Sequence, residues 1–134
     1  MNFDRIFNPQ GLNWWLVVSG IGLNFVLMTF LVLGVIYAAE NGVNPAWTTT
    51  AMSIGGFLIP LLTAYVCGRM GDERFLAYAF YPLVGYLMPV LFGLTSAGVF
   101  GLLMIVFGVL GAFNGGNMAA RRANRRLHAP PKDD

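Results

Sequence analysis

The chain has 134 residues, of which 57% are hydrophobic types and 10% are charged, against about 25% charged residues in an ordinary soluble domain. One core of this size cannot hide so much apolar surface from water, which excludes a soluble globular domain and points to a single membrane domain covered by lipid. The net charge of +2 is an uneven average, because most basic residues follow position 120, and the one cysteine, Cys67, excludes an internal disulfide or a multi-cysteine metal site.

The arm from Met1 to Asn13 has no basic n-region. The apolar run behind it is too long for a signal h-region and shows no small-residue cleavage site, so the first span is expected to stay in the mature protein. Phe3, Ile6 and Phe7 fall at helical spacing. Either the arm lies flat on the membrane surface, or it is unstructured and these three apolar residues fall there by chance.

About 20 apolar residues are needed to cross about 30 Å of hydrocarbon. Four segments meet or approach this length: Trp14 to Ala38, Pro45 to Gly68, Phe75 to Phe92, and Ala97 to Ala120. The expected fold class is therefore an all-α integral membrane protein, a four-transmembrane-helix bundle. Asn44-Pro45 sets a capping side chain before a proline at the first helical position. Asp72 is placed to cap the third span, with Glu73 in its first turn favoured by the helix dipole. Ser96 is placed to cap the fourth, after a tight turn over Gly93, Leu94, Thr95 and Ser96.

Orientation follows from the basic residues. Arg5 lies in the N-terminal arm, Arg69 and Arg74 at the junction of spans two and three, and Arg121, Arg122, Arg125, Arg126 and Lys132 after span four. With four spans these three regions share one side and hold all eight basic residues, while the other two connections hold only Glu40. The expected placement is a multi-pass protein of the bacterial cytoplasmic (inner) membrane with both termini inside. Trp14, Trp15, Tyr37, Trp47 and Tyr78 fall near span ends, where aromatic rings favour the headgroup level.

Helices in lipid associate through small residues. Span two carries Thr49, Ser53, Gly56, Pro60, Thr63 and Cys67 at alternating spacings of four and three, a single seam. Span four has Gly101, Gly108 and Gly115 seven apart, and Gly111 with Gly115 forms a GxxxG. Span three offers Tyr78, Pro82, Gly85 and Pro89, and span one Gly20, Asn24 and Gly34. These seams are expected to meet in a compact bundle. Alternatively the span-two stripe is a hydroxyl-lined path, although Ser and Thr in membrane helices usually bond back to their own backbone. Pro82 and Pro89 each remove a helix hydrogen bond and are expected to kink span three. Outside the seams, Phe25, Leu27, Phe30 and Leu31 of span one and Phe100, Leu103, Val106, Phe107 and Leu110 of span four form apolar surface for lipid, pigments, quinone tails or partner helices.

No Asp, Glu, Lys, Arg or His falls inside the four predicted spans. Proton relays and ion paths are marked by such residues, so a proton-coupled pump or a rotor subunit is disfavoured, and haem b lacks its intramembrane histidine ligand. His128 reads as a solvated tail residue, Cys67 as a small buried side chain without a histidine partner, and Asp72 and Glu73 as a cap in a charge cluster. Gly115-Gly116 follows no strand and is no phosphate loop. Gly68-Arg-Met-Gly-Asp72 looks like the opening of the major facilitator loop motif, but its basic ending is absent and the chain is too short. Asn13 and Asn24 read as a cap or a helix-packing hydrogen bond. No enzyme activity, catalytic residue, cofactor or metal is expected.

Arg121, Arg122, Arg125 and Arg126 share a broad face if span four continues as a helix. They suit anionic lipid headgroups, at about 1 kcal/mol per charge, or an acidic surface of another integral membrane subunit, and the two are compatible. Nucleic acid is not an expected partner, because no aromatic residue interleaves the charges.

The short connections opposite the termini, the glycine-rich spans and the Arg-Arg-Ala-Asn-Arg-Arg segment from Arg121 to Arg126 resemble the layout of small four-span subunits of bacterial electron-transfer or photosynthetic complexes, such as alternative complex III. That resemblance implies a non-catalytic accessory subunit of an energy-transducing membrane complex, without a redox centre of its own, that steadies neighbouring helices and bound lipid or cofactor tails. The rival expectation is a small transporter or channel working as a homo-oligomer.

Overall fold

The computed structural model describes residues 8–71 and 74–127, without the side chains of 93–97, 126 and 127. It is an all-α bundle with four helical segments long and apolar enough to cross a membrane. Helix α1 spans Trp14–Glu40 and α2 spans Pro45–Met70. The third span is broken into α3 (Phe75–Phe80) and α4 (Leu83–Ala97), and α5 covers Val99–Leu127.

Local chemistry explains most of the ends. The Asn13 side chain accepts the Leu16 N–H, and that of Asn44 accepts the Ala46 N–H with Pro45 next in line. Gly42, at φ +78°, closes α1 in a left-handed turn in which its N–H donates to Ala39 O. Asp72, Glu73, His128 and the arm with Phe3, Ile6 and Phe7 lie outside the described residues.

Two expectations change. The turn between the third and fourth spans is not Gly93 to Ser96, which is helical, but Gly98, at φ +53°. Gly98 takes the left-handed conformation that closes α4 without a Cβ penalty. Ser96 therefore lies within α4 and does not cap α5. Of the two prolines in the third span, only Pro82 stands at a break, between Phe80 and Leu83, whereas Pro89 sits inside the continuous α4.

The helices pack around the bundle in the order α1, α2, α5, then the α3–α4 unit. α2 and α5 run parallel, as do α1 and the α3–α4 unit. The break at Tyr81-Pro82 matters for shape. α2 packs closely against α3, but its backbone stands away from that of α4. The bundle is thus closed at the end carrying residues 8–13, Arg74 and the last turns of α5, here called the arginine end. It is looser at the far end, which carries the 41–44 connection and Gly98.

Candidate functional site

Close backbone approach dominates the middle of the bundle. An ideal Cβ on Gly111 would lie 2.2 Å from Phe57 O, and one on Gly115 2.2 Å from Leu61 O, so α5 rests directly on the backbone of α2. A Cβ on Gly85 would lie 2.0 Å from Ile21 O, which joins α4 to α1 in the same way. Gly108 lies under the Tyr86 ring, and the Tyr86 hydroxyl donates to Met104 O at 2.7 Å. Gly56 faces the ends of Met104 and Tyr86, and Gly20 faces Cys67 and the Pro82 ring.

The span-two stripe is not uniform. Gly56, Pro60, Thr63 and Cys67 are buried, Ser53 is half-buried, and Thr49 is exposed. The Ser53 hydroxyl donates back to Thr49 O, and Thr50 back to Ala46 O. No line of open hydroxyls runs along α2, and Thr49 lies outside the packed seam because the helices have already parted at its level. Gly34, expected on a contact face, is exposed with nothing near its Cβ position. Tyr78, expected at the headgroup level, is 0% exposed, and its hydroxyl accepts the Asn13 N–H at 2.8 Å.

Two polar atoms in the core stand apart. The Asn24 side chain donates through Nδ2 to Pro82 O at 2.9 Å, but its Oδ1 and the Thr63 Oγ1 are buried without a hydrogen-bond partner. Gly20 opposes Cys67 across the α1–α2 contact. One turn further along these antiparallel helices, Asn24 and Thr63 stand at the same level.

At the far end all four spans line a cavity of about 250 Å³. Met28 and Val32 of α1, Met52 of α2, Val90 of α4, and Phe100 and Met104 of α5 form its walls. The exposed Thr49 and the buried Gly101 also line it. That volume is about eight times a water's share of the liquid, about 30 Å³, and falls just below the range of drug-sized pockets, about 300–1,000 Å³. Flexible methionines on two sides let the walls adapt to an irregular apolar chain.

At the arginine end two basic side chains are held within the molecule. The Arg74 guanidinium donates to Gln10 O at 2.6 Å and also to Asn8 O, which ties residues 8–13 onto the bundle. Arg122 donates to the Tyr65 hydroxyl at 2.6 Å, joining α5 to α2. Arg121 and Arg125 are exposed on α5, which stays helical past them. Arg122 is thus directed toward the bundle, not outward with its neighbours, and the Arg126 side chain lies outside the described residues.

No family model, curated protein or solved structure matches the chain. Its chemistry therefore rests on its own residues. Among the described residues no three His, Cys, Asp or Glu side chains come together. Sequence reading missed Tyr86, whose ring fills the hollow over Gly108, and Tyr65, which receives Arg122. Neither had a sequence signal beyond an aromatic residue inside a span. It also missed Asn114, a polar residue in the long apolar run of α5, whose side chain is exposed.

Proposed function

We propose that this chain is a non-catalytic accessory subunit of a larger bacterial membrane complex, of the electron-transfer type its layout resembles. It sits in the cytoplasmic membrane with both ends inside, an orientation supported by the eight-to-none division of basic residues. The observation that carries this function is the use made of the small and polar residues of the spans. Gly85, Gly111 and Gly115 are spent on helix–helix contact, and the hydroxyls of Ser53 and Thr50 on their own helix. A transport path along α2 would need those groups facing an open lumen. The outward faces instead carry large apolar side chains such as Phe30, Phe92 and Leu102, at 70%, 85% and 59% exposure. Lipid or neighbouring helices cover such surface in a membrane, and the far-end cavity accepts one apolar chain from a lipid or a cofactor tail. Arg121 and Arg125 anchor the inner margin on anionic headgroups.

Gentle detergent extraction from native membranes, with mass spectrometry of the intact assembly, tests this function. The expected result is a fixed ratio to other integral membrane subunits and no solute flux when the chain alone is placed in liposomes. A symmetric homo-oligomer that moves a solute would replace it with the transporter.

A further inference from the structure

The outward stripe of α5 has a pattern that lipid alone does not explain. Leu103, Val106, Leu110, Asn114 and Met118 follow at spacings of three, four, four and four, and all are exposed. At such spacing they form one face of the helix, distinct from the one that buries Gly108, Gly111 and Gly115. Asn114 is the anomaly. It lies seven residues before Arg121, about 10 Å along the axis, and so within the hydrocarbon layer rather than at its edge. Its Nδ2 donates to Leu110 O at 2.8 Å. The amide is exposed and its oxygen is left as an acceptor. An unsatisfied polar group in lipid costs several kcal/mol, and one polar residue in an apolar helical seam is the device that fixes a pairing register.

The same stripe continues through Arg121 and Arg125, three and four residues further on. This decides the occupant. Two copies pairing in parallel through the stripe would bring these arginines together, like charge on like. An antiparallel copy would have to insert upside down, against the division of its eight basic residues. We infer that the α5 stripe docks a transmembrane helix of a different chain. That helix carries a hydroxyl or amide donor at the depth of Asn114 and acidic residues at the margin facing Arg121 and Arg125. The inference rests on the accessory-subunit function and adds the surface and chemistry of the contact.

Photo-crosslinking in native membranes tests it, with a photoreactive residue placed at Leu110 or Met118 in the full chain and at Phe30 on α1 as a second face. The expected result is one heterologous adduct from the α5 positions, whose crosslinked span has a polar donor and an acidic inner flank. Asn114→Leu should lower adduct yield about three- to fifteen-fold, the range for one interhelical hydrogen bond. Asn114→Gln should restore most of it, and thermal unfolding of the isolated bundle should not change, since residue 114 lies outside the packing. Arg121→Glu with Arg125→Glu should abolish the adduct. Lipid adducts alone from Leu110 and Met118, with a partner captured from Phe30, would overturn the docking face while the subunit function stands. Adducts to a second copy from the α5 stripe would also overturn it. Absence of any heterologous adduct from either face would remove both.

Discussion

The two halves of the bundle are built from the same kinds of apolar residue yet are held together differently. Toward the arginine end and through the middle, glycines let backbones touch: Gly111 and Gly115 on α2, Gly85 on α1. Arg74, Tyr78 and Arg122 then tie the end shut. Toward the far end the contacts pass through long side chains, with Met28, Met52 and Met104 around a cavity. The break at Pro82 adds to the difference, because it lets α3 lie against α2 while α4 does not. Without a hydrophobic drive between helices in lipid, close packing is the main attraction available. The glycine half is therefore the rigid frame, and the methionine half is the part able to accept a guest.

The sharpest way to break this comparison is to place a methyl group on a glycine of the frame. Gly85→Ala, Gly111→Ala and Gly115→Ala each put a Cβ against a backbone oxygen of the neighbouring helix, which no side-chain rotation relieves. Each should cost about 1–3 kcal/mol by overpacking, read as a lower midpoint of thermal unfolding in detergent. Gly22→Ala, with nothing near its Cβ position, is the control and should not lose stability. Equal tolerance at all four sites would mean that the frame is no tighter than the rest.

Much of this frame was legible in the sequence, and the reason is physical. Small residues at fixed helical spacing have one main use in lipid, so Gly108, Gly111, Gly115 and Gly85 are conspicuous from spacing alone. The capping pair Asn44-Pro45 was legible because it acts within a few residues. What sequence did not show depends on partners far along the chain. Tyr78 looks like a headgroup aromatic until Asn13 is folded back onto it, and Arg122 looks like its neighbours until Tyr65 lies beside it. Gly98 is masked in the sequence because the preceding run of Gly93 to Ser96 also reads as a turn. The cavity had no sequence signature at all, since it arises from where α4 is aimed after Pro82.

A smaller effect probes the interior of the glycine half. Thr63 is 1% exposed and its hydroxyl has no partner, which costs desolvation without a compensating bond. Thr63→Val keeps the shape and removes the hydroxyl, and should raise stability by about 1 kcal/mol. A loss of similar size would show instead that the hydroxyl reaches the Asn24 amide across the α1–α2 contact in the membrane. The rigid frame would then hold a polar bridge between α1 and α2 beside its glycine contacts.

The smallest effect concerns the far half itself. Val32→Phe adds a ring at the wall of the cavity. In the glycine half such an increase would force helices apart, but here the volume of about 250 Å³ receives it. If an apolar chain occupies the cavity in the membrane, the ring gains contact while the chain loses its place. The two changes offset, and the net shift in stability should stay within about 0.5 kcal/mol. The informative readout is therefore occupancy. Native mass spectrometry of gently extracted protein should show about one fewer retained lipid or isoprenoid chain than the parent. Unchanged occupancy with unchanged stability would leave the slack in place but take the guest out of it. A loss of about 1–3 kcal/mol would show that the methionine half is as tightly committed as the glycine half, which would erase the difference between them.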